Sequence, residues 1–217
     1  SLSCGLRLIS DNVGVFRRAT MKQFLVSLSC SALLACSGIA QAIESLAFEV
    51  LETHDDIEIR QYAPHLLATV RIEGKFDEAG SQAFRPLFNY ISGDNRSDEK
   101  IAMTAPVLQQ PDEDQGTWLI SFVMPSSFDK DSLPVPSSEI VRVSEQPTLR
   151  MAALEYRGGW SQSRYSEHEL ELRSALNAMS LTACGDPRWA RHDPPFMPWF
   201  MRKNEILVPL CEPARAR

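Results

Sequence analysis

Two stretches of this chain carry the same signature. Val70–Phe76 reads VRIEGKF and Leu154–Trp160 reads LEYRGGW. Each has an apolar residue, a glycine four positions on and an aromatic ring two positions after that. Each also marks a change from strand-like alternation to helix-like periodicity. A chain that repeats a strand-to-helix junction is expected to build one supersecondary unit twice. Either half offers a single helix and a few strands, too little to bury a core alone, so the halves must share one.

The first helix is predicted from Asp77 to Ile91. Ala79, Ala83, Phe84, Leu87, Phe88 and Ile91 fall on one face, Asp77 suits the start, and Ser92-Gly93 suits the end. Pro86 is awkward inside it, because proline removes one helical hydrogen bond. The second helix is predicted from Ser161 to Met179, with Tyr165, His168, Leu172, Ala175, Leu176 and Met179 on one face. Strands are expected at Phe48–Leu51, Ile57–Tyr62, Leu66–Ile72, Ile101–Leu108, Thr117–Met124, Glu139–Val143, Thr148–Tyr156, Arg188–His192 and Glu205–Leu210. Pro106 lies inside one of them, which calls for an edge, a bulge or the rim of a cleft. The connector 124–138, with Pro125, Pro134, Pro136 and several serines, reads as surface chain rather than a domain boundary. The fold class that follows is α+β: a duplicated β-α-β-β module forming a distorted, mostly antiparallel β-barrel flanked by two α-helices. A cleft between the halves is the natural ligand site.

The first 42 residues stand outside this plan. Residues 21–42 begin Met-Lys, run through an apolar stretch from Phe24 to Leu34 and end Ala40-Gln41-Ala42, the pattern of a secretory signal peptide. Residues 1–20 read as upstream sequence or an extended basic n-region containing Arg17 and Arg18. A second processing reading stands beside the first: Leu33-Leu-Ala-Cys36 has the form of a lipobox, with Cys36 lipidated as a membrane tether. Residues 43–217 are then the folded domain, periplasmic or secreted on the first reading and lipid-anchored in the envelope on the second.

The whole chain has a net charge of −6, and residues 1–42 hold more basic than acidic groups, so the domain is more acidic still. An acidic domain without a basic run is a poor partner for nucleic acid. Cys184 and Cys211 are the two cysteines of the domain; an oxidising compartment would allow them to pair, and two separate buried thiols are the other option. Nothing in the chain has the spacing of a zinc site.

The stretch Ala190–Leu210 crowds prolines, aromatics and methionines between two strands. Phe196, Trp199 and Phe200 are expected to cover core or line a pocket, beside Arg191, Arg202 and Lys203. Flat apolar surface next to guanidinium groups suits a flat amphiphile bearing carboxylates.

Several motifs occur in order: EIRQY at Glu58–Tyr62, YISGDN at Tyr90–Asn95, KIAMTAPV at Lys100–Val107, RHDPPFMP at Arg191–Pro198 and RKNE at Arg202–Glu205. In these the chain resembles the SOUL haem-binding protein family over about Phe48 to Leu210. The resemblance implies a duplicated barrel with two helices, similar to the GyrI-like ligand-binding domains, and haem or a related tetrapyrrole as ligand in an apolar cleft. On that expectation Arg60, Arg71 and Arg202 are candidates for the propionates. Met103, Phe122, Phe196, Met197 and Trp199 are candidates for the apolar wall. Iron would take His, Met, Cys or Tyr, or keep water. Some members of the family carry a histidine just before the tyrosine of the Glu-x-Arg-x-Tyr strand; this chain has Gln61 there. His65 and His192 are the remaining metal candidates, His54 and His168 fit less well, and binding without a protein ligand stands beside them.

Two other functions stay open on sequence. An enzyme on the same scaffold, removing iron from haem or hydrolysing a small reactive compound, would draw on acids such as Glu155 and Glu205, but no familiar catalytic motif accompanies them. A binder of some other planar amphiphile is the second.

Overall fold

The computed structural model describes residues 43–211; the expected leader, its cleavage site and Cys36 lie outside the described residues. Eleven strands and two helices follow in the order β1 (Glu44–Ser45), β2 (Phe48–His54), β3 (Ile57–Tyr62), β4 (His65–Glu73), α1 (Phe76–Ile91), β5 (Thr104–Ala105), β6 (Val107–Pro111), β7 (Thr117–Val123), β8 (Arg142–Gln146), β9 (Leu149–Arg157), α2 (Gln162–Ala178), β10 (Arg188–Arg191) and β11 (Lys203–Pro209). Nine strands form one antiparallel sheet, ordered β2-β3-β9-β11-β10-β6-β7-β4-β8, that curls into a half-barrel. β1 and β5 make a separate parallel pair.

Strand alternation assigns every side chain to one of two faces. The outer face carries the helices. Ala68, Val70, Ile120 and Phe122 pack under α1, while Ile59, Ala152, Leu154, Ile206 and Val208 pack under α2. The inner face closes on a third cluster of Tyr62, Leu67, Leu108, Val123, Met151, Ala153, Ala190 and Leu207. Both faces are therefore apolar at their centres, so these strands show buried residues in unbroken runs.

The paired junctions have a conformational cause. Gly74 and Gly158 end β4 and β9 with φ of 140° and 149°, a region that side chains disfavour. Each carbonyl is held by a side chain, Gly74 by the Trp118 indole N–H at 2.9 Å and Gly158 by Asn204 Nδ2 at 3.0 Å. The helices then start together. Asp77, in the first turn of α1, accepts from the backbone N–H of Gln162 at the start of α2, 2.9 Å away. The carboxylate expected to cap its own helix thus caps the other one, where it also complements the helix dipole.

Two expected strands are shorter or displaced. Residues 101–103 are not strand, and the cis Ala105–Pro106 bond separates β5 from β6, so the proline occupies a gap where no ladder donor is needed. The strand expected over Glu139–Val143 begins at Arg142. Pro86 stays within α1; Gln82, whose carbonyl it leaves without a partner, is on the exposed side where water serves instead. Cys184 and Cys211 form a disulfide with a Cα–Cα distance of 5.0 Å.

Candidate functional site

One helix, α1, carries a pair of aromatic rings that the core does not cover. Phe84 and Phe88, one turn apart, are 43% and 47% exposed. Their rings lie nearly parallel, 14° apart with centroids at 5.6 Å, and Phe84 meets the buried Phe122 edge-on at 5.8 Å. Phe122 and half-buried Met103 belong to the cluster beneath α1, so two of the expected wall residues back this aromatic shelf. The helix pattern had placed Phe84 and Phe88 with the core. The buried arc of α1 is Phe76, Ala79, Ala83, Leu87, Tyr90 and Ile91, and the two rings lie past its edge. Arg85 sits between them in sequence. Lys100 stands at the C-terminal end of the helix, where the next residue, Ile101, donates its N–H to the Ile91 carbonyl at 2.8 Å. Both cations are exposed, and neither has an ion-pair partner among the described residues.

The loop between β10 and β11 is a second apolar surface. Phe196 is 85% exposed and Trp199 62%, with Phe200 and Met201 also exposed and Met197 half-buried. These rings face solvent rather than cover core, and none of them lines either of the two clefts described below. Their outward aim is fixed from below. Arg202 donates to the carbonyls of Met197 at 2.8 Å and Pro195 at 2.6 Å, and its guanidinium lies 4.2 Å from the Trp160 ring centre. That arginine is spent on loop geometry rather than left free for a propionate.

Arg60 and His192 meet on the inner face around Glu205. Glu205 is 2% exposed and accepts from Arg60 at 2.9 Å; His192 Nε2 lies 2.7 Å from its other oxygen and Lys203 Nζ at 3.6 Å. Burial works to raise the Glu205 pKa, but the hydrogen bond with His192 and the charges of His192, Arg60 and Lys203 overcome it and hold the group down at about 2. Arg60, 4% exposed, also binds Glu58 at 2.7 Å and the Tyr62 hydroxyl at 3.1 Å, and Phe48 covers it with a ring 4.1 Å away. Its charge is fully matched within the protein.

Two clefts are lined by other residues. One, of about 610 Å³, is bounded by Leu67, Thr69, Leu119, Ser121, Ile140 and Arg142, with Arg71, Asp112 and Glu139 at its wall. Arg71 is held by Asp112 at 2.5 Å, Asp114 at 2.5 Å and Glu73 at 3.1 Å, and these contacts raise its pKa. Hydroxyls and carboxylates make this a poor seat for an apolar dianion. The other cleft, about 320 Å³, has an apolar wall of Leu46, Leu66, Val123, Met124 and Phe128 beside His65. His65 Nδ1 lies 2.8 Å from the Ala63 carbonyl, which fixes the proton on that nitrogen. Nε2 is left unpartnered but shut away from solvent. Burial lowers the His65 pKa, with the charge of Arg188 adding to it against the Ala63 hydrogen bond. The ring is neutral and its free nitrogen closed in.

The candidate residues therefore fall in five places. Met103 and Phe122 lie under α1. Phe196, Met197, Trp199 and Arg202 form the β10–β11 loop. Arg60 and His192 share Glu205, and Arg71 and His65 line separate clefts. Phe84 and Phe88, with Arg85 and Lys100, were missed; the signal was an apolar helical face too wide to be buried whole.

Comparison with known proteins adds a lineage to this geometry. A family profile described as "SOUL heme-binding protein" matches residues 43–209. Heme-binding protein 1 of Mus musculus is 30% identical over 176 residues, covering 76% of this chain and 92% of the relative. Heme-binding protein 2 of Homo sapiens is 29% identical over 147 residues, covering 63% and 71%. Among solved structures, the EcmrR C-terminal domain superposes with a TM-score of 0.57 at 10% identity, over 72% of this chain and 97% of that one. A hydrolase from Listeria innocua gives 0.54 at 10% identity, over 74% and 94%. At such identities the two structures speak for the fold alone.

Proposed function

Because the chain belongs to the SOUL heme-binding family, we propose that it binds haem on the aromatic shelf of α1, as an exported carrier or buffer. The observation that carries the placement is the stacked, half-exposed Phe84–Phe88 pair backed by Phe122. An apolar macrocycle gains most from removing such rings from water, and offset stacking adds to it. Arg85, between the two rings in sequence, and Lys100, past the end of α1, supply charge for the propionates without first breaking an ion pair, unlike Arg60 and Arg71. The 610 Å³ cleft is the rival seat; there Arg71 and Arg142 stand beside Asp112 and Glu139, and the wall carries the hydroxyls of Thr69 and Ser121.

The residues also bear on the iron. His54 contacts Glu52, His65 the Ala63 carbonyl, His168 Glu171 and His192 Glu205, each through one ring nitrogen, and none of the four histidines is on α1. Binding on the shelf then proceeds without an imidazole from the protein, and the metal keeps water or an exogenous ligand. The Cys184–Cys211 disulfide supports the exported reading, since such bonds persist in oxidising compartments.

Hemin titration followed by absorption tests the proposal. Saturation near one equivalent, with a shifted Soret band and a high-spin spectrum that converts on adding free imidazole, is the expected result. Absence of saturation counts against haem as ligand, and a bis-histidine spectrum counts against the shelf.

A further inference from the structure

The β10–β11 loop has a second use, independent of haem on α1. Four large apolar side chains, Phe196, Trp199, Phe200 and Met201, stand exposed on the segment between Arg191 and Lys203. The loop is nevertheless rigid in construction. Pro194, Pro195 and Pro198 restrict its backbone, and Trp199–Met201 forms a 3-10 turn. Arg202 and Arg157 hold its carbonyls from beneath, the latter donating to Met201 at 2.9 Å. Asp193 accepts the Lys203 N–H at 2.6 Å and closes the base. Side chains held outward in this way lose little further freedom when they enter an apolar medium.

The charge around the loop runs against the rest of the chain. Arg157 and Arg164 are exposed and Arg191 and Arg202 half-buried. The side-chain hydrogen bonds of Arg157, Arg191 and Arg202 go to neutral groups: the Met201 carbonyl, Tyr165 and Gln109, and the Met197 and Pro195 carbonyls respectively. None of the four has an ion-pair partner among the described residues, although the whole chain is at −6. The nearby acids are already committed, Glu155 and Glu205 to Lys203 and Asp193 to the loop backbone. Aromatic rings at a protruding tip, with arginines set back around the base, match the layering of a membrane surface. The rings would reach the boundary of the acyl chains, and the exposed Arg157 and Arg164 would meet the phosphates, while Arg191 and Arg202 brace the loop and add positive field. We propose that the β10–β11 loop docks the protein on a bilayer containing anionic phospholipid.

The test uses the full chain with vesicles of phosphatidylcholine alone or mixed with phosphatidylglycerol. Lipids brominated on the acyl chain report depth. The expected result is quenching of tryptophan emission in the wild type that disappears in Trp199→Phe, the other three tryptophans being untouched. Phe196→Ser with Phe200→Ser should keep its fold, since both rings are exposed, and should lower vesicle partition by roughly tenfold or more. Partition should also fall when phosphatidylglycerol is omitted or salt is raised. If vesicle-bound protein shows no Trp199-dependent quenching, another segment makes the contact and the proposal fails. Equal partition of the double variant and the wild type overturns it too. Lost hemin affinity in that variant with unchanged vesicle binding would assign the loop to haem instead.

Discussion

Replacing Glu205 by Gln should be among the most costly single substitutions in this protein, and its cost should vanish in acid. The carboxylate is 2% exposed and faces Arg60, His192 and Lys203. Its pKa is held at about 2, down from the ordinary 4.5. At about 1.4 kcal/mol per pH unit, that difference amounts to roughly 3 kcal/mol of folding stability. Because the folded-state value is depressed, the contribution is complete above pH 4.5 and is lost as pH falls toward about 2. The substitution leaves Arg60, itself 4% exposed, facing a neutral amide. Total stabilities of domains run to only about 5–15 kcal/mol, so the variant should melt several degrees lower at neutral pH. Urea unfolding of wild type and Glu205→Gln, at pH 7 and again near pH 2.5, measures it. A gap of about 3 kcal/mol at neutral pH that narrows sharply in acid is expected. Equal stability at pH 7, or a gap unchanged by pH, would refute the reasoning.

Other consequences are open to the same methods. Cys184→Ser with Cys211→Ser frees a loop of 27 residues and should cost about 3.5 kcal/mol on the chain-entropy scale, read as a lower urea midpoint matched by reduced wild type. Gly80→Ala should destabilise by about 1–2 kcal/mol despite the better helix propensity of alanine, because its Cβ would strike Arg191, which Gln109 and Tyr165 hold in place. Asp77→Ala removes the acceptor of the first N–H of α2, leaving Ser161 as the remaining cap, and should cost about 1 kcal/mol, with faster hydrogen exchange in the first turn of that helix as its local signature.

The fold was legible where local rules set it. The limits of both helices follow within about two residues from apolar spacing and end residues, and the two glycines mark the turns that need positive φ. The site was less so, for three reasons. The decisive ion-pair partners are far apart in sequence: Glu205 lies 145 residues from Arg60 and Asp112 lies 41 from Arg71, and the nearby Glu58 and Glu73 do not by themselves show that these charges are matched. Face assignment by periodicity cannot tell the centre of an apolar arc from its edge, so Phe84 and Phe88 read as core. Composition alone does not say which way a loop points. Phe196 and Trp199 are apolar enough to be buried, but Arg202 pins the loop backbone underneath and turns them out.

The central claim, haem on the α1 shelf, is tested most directly by titrating hemin into two variants side by side. One is Phe84→Ser with Phe88→Ser, which strips the shelf; the other is Leu119→Ser with Ile140→Ser, which strips the apolar part of the 610 Å³ cleft. Hemin affinity should fall by roughly tenfold or more in the first and hold near the wild-type value in the second. The reverse pattern, or equal affinities in all three proteins, would contradict the account.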